Sequence, residues 1–128
     1  MKKLLSVLAA GAWISISEFF RNEILLKSYW TEHYSKLGLD FPDDPVNGAL
    51  WGLWSFLFAG AIFVIARKFS LMQTAMLAWF VGFVLMWVVI GNMGVLPYKV
   101  LYAAVPLSLL EAFVAALLVH KIYGKRVK

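Results

Sequence analysis

The chain has no cysteine, and only 15% of its 128 residues are Asp, Glu, Lys or Arg. Without a thiol there is no disulfide framework, no thiolate nucleophile, no iron-sulfur cluster and no Cys-ligated zinc. A soluble domain of this length covers its surface with about a quarter charged residues, so the shortage of charge excludes an ordinary globular domain in water. Histidine is scarce too, with only His33 and His120. His33 shares its region with Glu32, Asp40, Asp43 and Asp44. One histidine among scattered acids reads as an interfacial residue beside a solvated turn, not as a metal site. The sequence contains no HExxH motif, no phosphate-cradling loop and no recognisable nucleophile with its base, so no catalytic function and no cofactor are expected. His120, beside Lys121, suits the carboxyl end of a helix.

What is present in quantity is apolar: 62% of residues are hydrophobic and 16% aromatic. The apolar residues fall into spans at about 4–22, 45–65, 71–90 and 97–119. At a rise of ~1.5 Å per residue, about 20 residues cross a ~30 Å hydrocarbon layer. The runs do not alternate as barrel strands would, and backbone at bilayer depth must satisfy its own amides. The expectation is therefore a single all-α integral membrane domain, 1–128, whose four transmembrane helices form an antiparallel bundle. Local chemistry marks the boundaries. Asp44 before Pro45 is an N-cap followed by a first-turn proline, Ser70 with Gln73 forms a capping box, and Gly91, Gly94 and Pro97 separate the last two spans.

The formal net charge of +5 reads as an orientation signal rather than a nucleic-acid stripe, because the basic residues sit in small groups between apolar runs. Lys2, Lys3, Arg67, Lys68, Lys121, Lys125, Arg126 and Lys128 fall on one side, against Arg21, Lys27, Lys36 and Lys99 on the other. Both termini are thus expected in the cytoplasm, with the protein in the plasma (inner) membrane. Lys2, Lys3, a short apolar run and Ala10-Gly11-Ala12 also have the layout of a cleavable signal. The continuation of that run through Trp13 and Ile14 to Phe20 favours an uncleaved first span.

Between the first two spans, 24–38 projects as an amphipathic helix. Leu26, Tyr29, Trp30, His33, Tyr34 and Leu37 share one face, opposite Lys27, Ser28, Thr31, Glu32, Ser35 and Lys36. Such a helix is expected to lie in the outer headgroup layer on its aromatic side. Phe41-Pro42-Asp43-Asp44-Pro45 then turns the chain back.

Helices in lipid meet through small and polar residues. Gly11 and Ser15 on the first span, Gly48, Gly52 and Ser55 on the second, Ala78 and Gly82 on the third, and Ala104 and Ala115 on the fourth mark the expected packing faces. Trp51, Trp54, Phe58, Trp79, Phe83 and Trp87 lie opposite, facing lipid or wedged between helices. The residues for which neither packing nor topology accounts form a candidate polar intramembrane cluster: Glu18, Arg21, Asn22, Ser108 and Glu111. An ionisable group at bilayer depth costs roughly 2.5 to 3.5 kcal/mol and normally faces a bundle interior. Glu111 lies ~13 Å and Glu18 ~22 Å from the cytoplasmic side. Helical side chains lean toward their own amino terminus, so Arg21 and Glu111 lean toward each other; Arg21 is placed to pair with Glu18 and reach toward Glu111.

Ile24-Leu25-Leu26-Lys27-Ser28-Tyr29-Trp30 followed by Leu37-Gly38-Leu39 resembles the arrangement after the first helix in small bacterial four-span proteins of the domain-of-unknown-function family 1761. That resemblance implies four spans and no defined activity. The leading functional expectation is a structural or accessory subunit of a membrane assembly, as a homo-oligomer or within a larger complex, with the lipid bilayer as its first partner. The alternative is a proton- or cation-coupled transporter or channel using Glu18, Arg21 and Glu111.

Overall fold

In a computed structural model the described residues, 1–124, form helices and turns with no strand among them. Four helices are long and apolar enough to cross a membrane: Lys2–Leu25, Pro45–Ala66, Leu71–Asn92 and Tyr98–Tyr123. Lys125, Arg126 and Lys128, counted above for orientation, lie outside the described residues.

The first long helix comprises α1 (Lys2–Phe19) and a π-helical stretch, Phe20–Leu25. Leu26 ends it, its backbone N–H donating to the Arg21 carbonyl, and the short helix α2 (Lys27–Lys36) follows. Helix α3 (Pro45–Ala66) opens at Asp44, whose N–H donates to Asn47 Oδ1, with Pro45 in the first turn where its missing N–H costs nothing. The third long helix starts with a reciprocal capping box: Gln73 N–H donates to Ser70 Oγ, and Ser70 N–H donates to Gln73 Oε1. It runs as α4 (Leu71–Trp79), a second π-helical stretch (Phe80–Val84) and α5 (Leu85–Asn92). A 3-10 turn, Tyr98–Val100, leads into α6 (Leu101–Tyr123).

Two apolar clusters hold these elements together. One is built largely from small side chains: Ala10 and Ile14 of α1, Ala59, Ile62 and Ala66 of α3, Ala75 and Ala78 of α4, and Ala112, Ala115, Ala116 and Val119 of α6. Small residues let the backbones approach closely, which is how helices associate where burying leucine gains little. The other cluster joins Leu26, Leu96, Val100 and Ala104, with Trp30 and Trp87 packed against them. It lies at the end of the bundle that carries α2.

Within the first cluster the aromatic stripes interlock. Phe58 and Phe83 are buried, stand edge to face, and share contacts with Trp54. Gly82 makes this possible, since a Cβ there would stand 2.6 Å from the Phe58 ring. These rings are wedged between helices rather than spread over the outside of the bundle. Gly11 has a similar role against the Phe56 ring. Gly48 and Gly52, expected as a helix seam, instead have nothing within 4 Å of where a Cβ would stand.

The bundle covers the apolar face of helix α2 only in part. Tyr29 and Leu37 are 42% and 45% exposed, whereas Trp30 and Tyr34, one turn apart, lean onto the bundle and meet Phe41 from the following turn.

Candidate functional site

The first helix brings Glu18, Arg21 and Asn22 together because 18, 21 and 22 are one turn apart. Arg21 Nη2 donates to Glu18 Oε2 at 2.6 Å, and Asn22 Nδ2 donates to the same oxygen at 2.9 Å. Arg21 and Asn22 both belong to the π-helical stretch, where the wider turn alters the angle at which side chains leave the axis. From there Arg21 reaches across to α6, with Nη1 3.3 Å from Glu111 Oε1. Its guanidinium carbon lies 5.3 Å from the Phe83 ring centroid, a cation–π distance. Exposure is 4% at Glu18, 5% at Arg21 and 0% at Glu111. One guanidinium thus bridges two buried carboxyl groups, and with both ionised the triad carries one negative charge in surplus.

The surrounding bonds fix this arrangement. Trp30 Nε1 donates to Asn22 Oδ1 at 3.2 Å, which orients the Asn22 amide so that its NH2 faces Glu18. Trp13 Nε1 donates to the Glu111 backbone carbonyl at 3.0 Å. Ser108 is buried but committed elsewhere: its hydroxyl accepts from Trp79 Nε1 at 2.9 Å and donates to the Val105 carbonyl at 3.0 Å. It supports α4 against α6 and does not join the triad. Ser55 likewise bonds within its own helix, to the Trp51 carbonyl.

Glu18 borders two cavities. The first, about 420 Å³ and open on one side, has Glu18, Arg21 and Asn22 at its polar end and walls of Trp30, Tyr34, Phe41, Trp51, Trp54 and Trp87. The second, about 440 Å³, is bordered by Glu18, Glu23, Asp43 and Asp44 and by Gly48 and Gly52. The small residues of the GxxxG segment therefore line open space. Ser15, half-buried, borders the second cavity as well.

Two ties hold the α2 segment in place. Lys27 Nζ donates to Glu23 Oε2 at 3.0 Å and to Asp43 Oδ2 at 3.1 Å, joining the end of the first long helix to the turn before α3. Hydrogen bonds to these two carboxylates raise the Lys27 pKa above the usual lysine value, so the tie stays charged well into the alkaline range. On the other flank, His33 Nε2 donates to the Gly94 carbonyl at 2.8 Å, which requires the proton on that nitrogen. Gly94 has a φ of 79°, a left-handed conformation that glycine adopts without a Cβ penalty.

Among the described residues, no group of three or more His, Asp or Glu side chains is placed to hold a metal ion. Sequence reasoning missed the aromatic cavity, whose walls come from α2, the turn at Phe41, α3 and α5. The signal that was available is the density of Trp and Tyr at the α2 end, which reads equally well as interfacial anchoring. No protein-family model, no curated protein and no solved structure matches the chain.

Proposed function

We propose that the chain is a multi-pass membrane protein, with both termini cytoplasmic, that moves protons or other cations through the Glu18, Arg21 and Glu111 centre. The observation that carries this reading is the ratio of acids to bases at the centre. Two buried carboxyl groups share one guanidinium beside an open cavity. With both carboxyl groups ionised the centre would hold an uncompensated charge, which is costly at membrane depth. A proton or an entering cation restores the balance.

The cavity supports a carrier over a continuous pore. Its lining includes Trp30 and Tyr34 of α2, whereas the alanine-rich cluster from Ala10 to Val119 is packed without contributing to it. Access from the second side then requires the helices to move against one another.

Purified protein in sealed liposomes, with a pH-sensitive dye inside and an imposed cation gradient, tests the reading. Wild-type protein is expected to carry proton or cation flux, and both Glu18→Gln and Glu111→Gln to reduce it at least about tenfold while helical content is retained. Flux that is unchanged in both variants, or absent from the wild type, overturns it.

A further inference from the structure

We propose that Glu18 and Glu111 hold a single proton between them in a carboxyl–carboxylate hydrogen bond, and that this proton is the ion the centre carries. The transport half of the inference rests on the preceding reading of the centre and names its cation.

Arg21 uses one oxygen of each carboxyl group, Glu18 Oε2 at 2.6 Å and Glu111 Oε1 at 3.3 Å. Gathered by one guanidinium, the two groups meet: Glu18 Oε1, fully buried, lies in a side-chain hydrogen bond with the Glu111 carboxyl group. Ionised carboxylates have only acceptor oxygens, so a hydrogen bond between two of them requires a proton on one. Two carboxylates in such contact do not both stay ionised. With the proton in place the pair carries one negative charge, which Arg21 balances, and the centre is neutral at membrane depth. The proton belongs to the pair rather than to either residue.

Titratable groups around the pair are few. Helix α3 and the third long helix carry no Asp, Glu, Lys, Arg, His or Tyr. On α6 the others are Tyr102, His120, Lys121 and Tyr123, each nine or more positions from Glu111 and so ~13 Å or more along the axis. Lys2 and Lys3 stand at the far end of α1. Glu23 and Asp43 share Lys27, Asp44 stands at the start of α3, and Tyr34 of α2 packs on Phe41. No second base is therefore at hand to balance Glu111 and Glu18 together.

The geometry also selects the cation. Oxygens already in hydrogen-bond contact leave room for a proton, whereas a metal ion needs several oxygen ligands around it. Burial adds a state. Glu18 Oε1 and Glu111 Oε2 are closed off from solvent, yet Glu18 borders both cavities and Glu111 borders neither. The conformation is thus the loaded, occluded one, and the proton leaves to water by way of Glu18 when that carboxyl group turns toward a cavity. Release sets two carboxylates against one guanidinium, an imbalance that an open, hydrated centre tolerates and a closed one does not.

Infrared spectroscopy of the full chain in liposomes reads the proton directly, because a neutral carboxyl group has a C=O stretch that a carboxylate lacks. At neutral pH the wild type is expected to show this band, and a heavy-carbon label at the glutamate side-chain carboxyl to move it. The side chains of the other two glutamates, Glu23 and Glu32, are 33% and 68% exposed and paired with lysines, so they contribute none. Glu18→Gln and Glu111→Gln each put an amide N–H in place of the O–H donor, which keeps the contact, and each is expected to lose the band because the carboxylate left balances Arg21. No band in the wild type, or a band that the label leaves in place, overturns the proposal without any variant. A band that survives in either folded variant overturns it as well, since one carboxyl group would then hold the proton alone. In the same liposomes, with a permeant anion to balance charge, an internal pH-sensitive dye should report proton flux in sodium, potassium and choline media alike. Flux that requires one of the inorganic cations overturns the proton as the carried ion and leaves the broader cation reading standing; the band without any flux refutes transport and leaves the shared proton standing.

Discussion

Arg21 has a position that no other basic side chain could fill equally well. Its planar guanidinium sends separate nitrogens to Glu18 and Glu111 and lays its face near Phe83. A lysine ammonium is a point charge and would serve one carboxylate at a time. Arg21→Met removes the cation and leaves both carboxyl groups buried, so we expect a loss of about 3–5 kcal/mol, the usual consequence of breaking a buried pair from one side. Thermal unfolding in detergent measures it. The triple variant Glu18→Gln, Arg21→Met, Glu111→Gln leaves no uncompensated charge and should recover most of that loss; a triple variant as unstable as Arg21→Met would show that Arg21 stabilises by packing alone. These three residues stood out in the sequence because an ionisable group inside an apolar run is costly to insert and must face a partner or a cavity. The diversion of Ser108 to Trp79 was not legible, since a serine hydroxyl takes whichever partner the facing helix presents.

At the level of elements, the four long helices were legible from apolar run length, and their starts from Asp44-Pro45 and Ser70 with Gln73. The two π-helical stretches were not, because a wide turn depends on how neighbouring helices pack and not on local propensity. Glycine was the least legible residue, since one small-residue pattern serves opposite ends. Gly82 accepts the Phe58 ring, whereas Gly48 borders a cavity. Gly82→Ala forces a Cβ into a ring already held by Trp54 and Phe83, and should cost about 1–3 kcal/mol through overpacking. Gly48→Ala meets nothing within 4 Å and should be neutral or gain up to about 1 kcal/mol from helix propensity. Melting temperatures of the two variants in one detergent compare them directly; equal shifts would mean that the aromatic interlock does not hold α3 against the third long helix.

For the molecule as a whole, orientation can be tested without removing any native residue, because the chain contains no cysteine. Ser28 on α2 and Lys68 in the turn between α3 and α4 are both exposed, and the proposed topology puts them on opposite sides of the membrane. A membrane-impermeant maleimide should label Ser28→Cys in intact cells and Lys68→Cys only after permeabilisation; the opposite pattern would invert the topology. The burial of Arg21 sharpens this expectation, since a guanidinium neutralised inside the bundle no longer weighs against the basic groups on the other side. Glu111 is gripped twice by the first long helix: Trp13 holds its backbone carbonyl and Arg21 its carboxyl group, from points eight positions apart and so ~12 Å along the axis. Sliding α6 along that helix strains one grip, and rotating α6 about its own axis strains the other. The two helices are thereby coupled as one fixed frame, to which α3 is joined by Phe56 at Gly11 and α4 by Trp79 on Ser108.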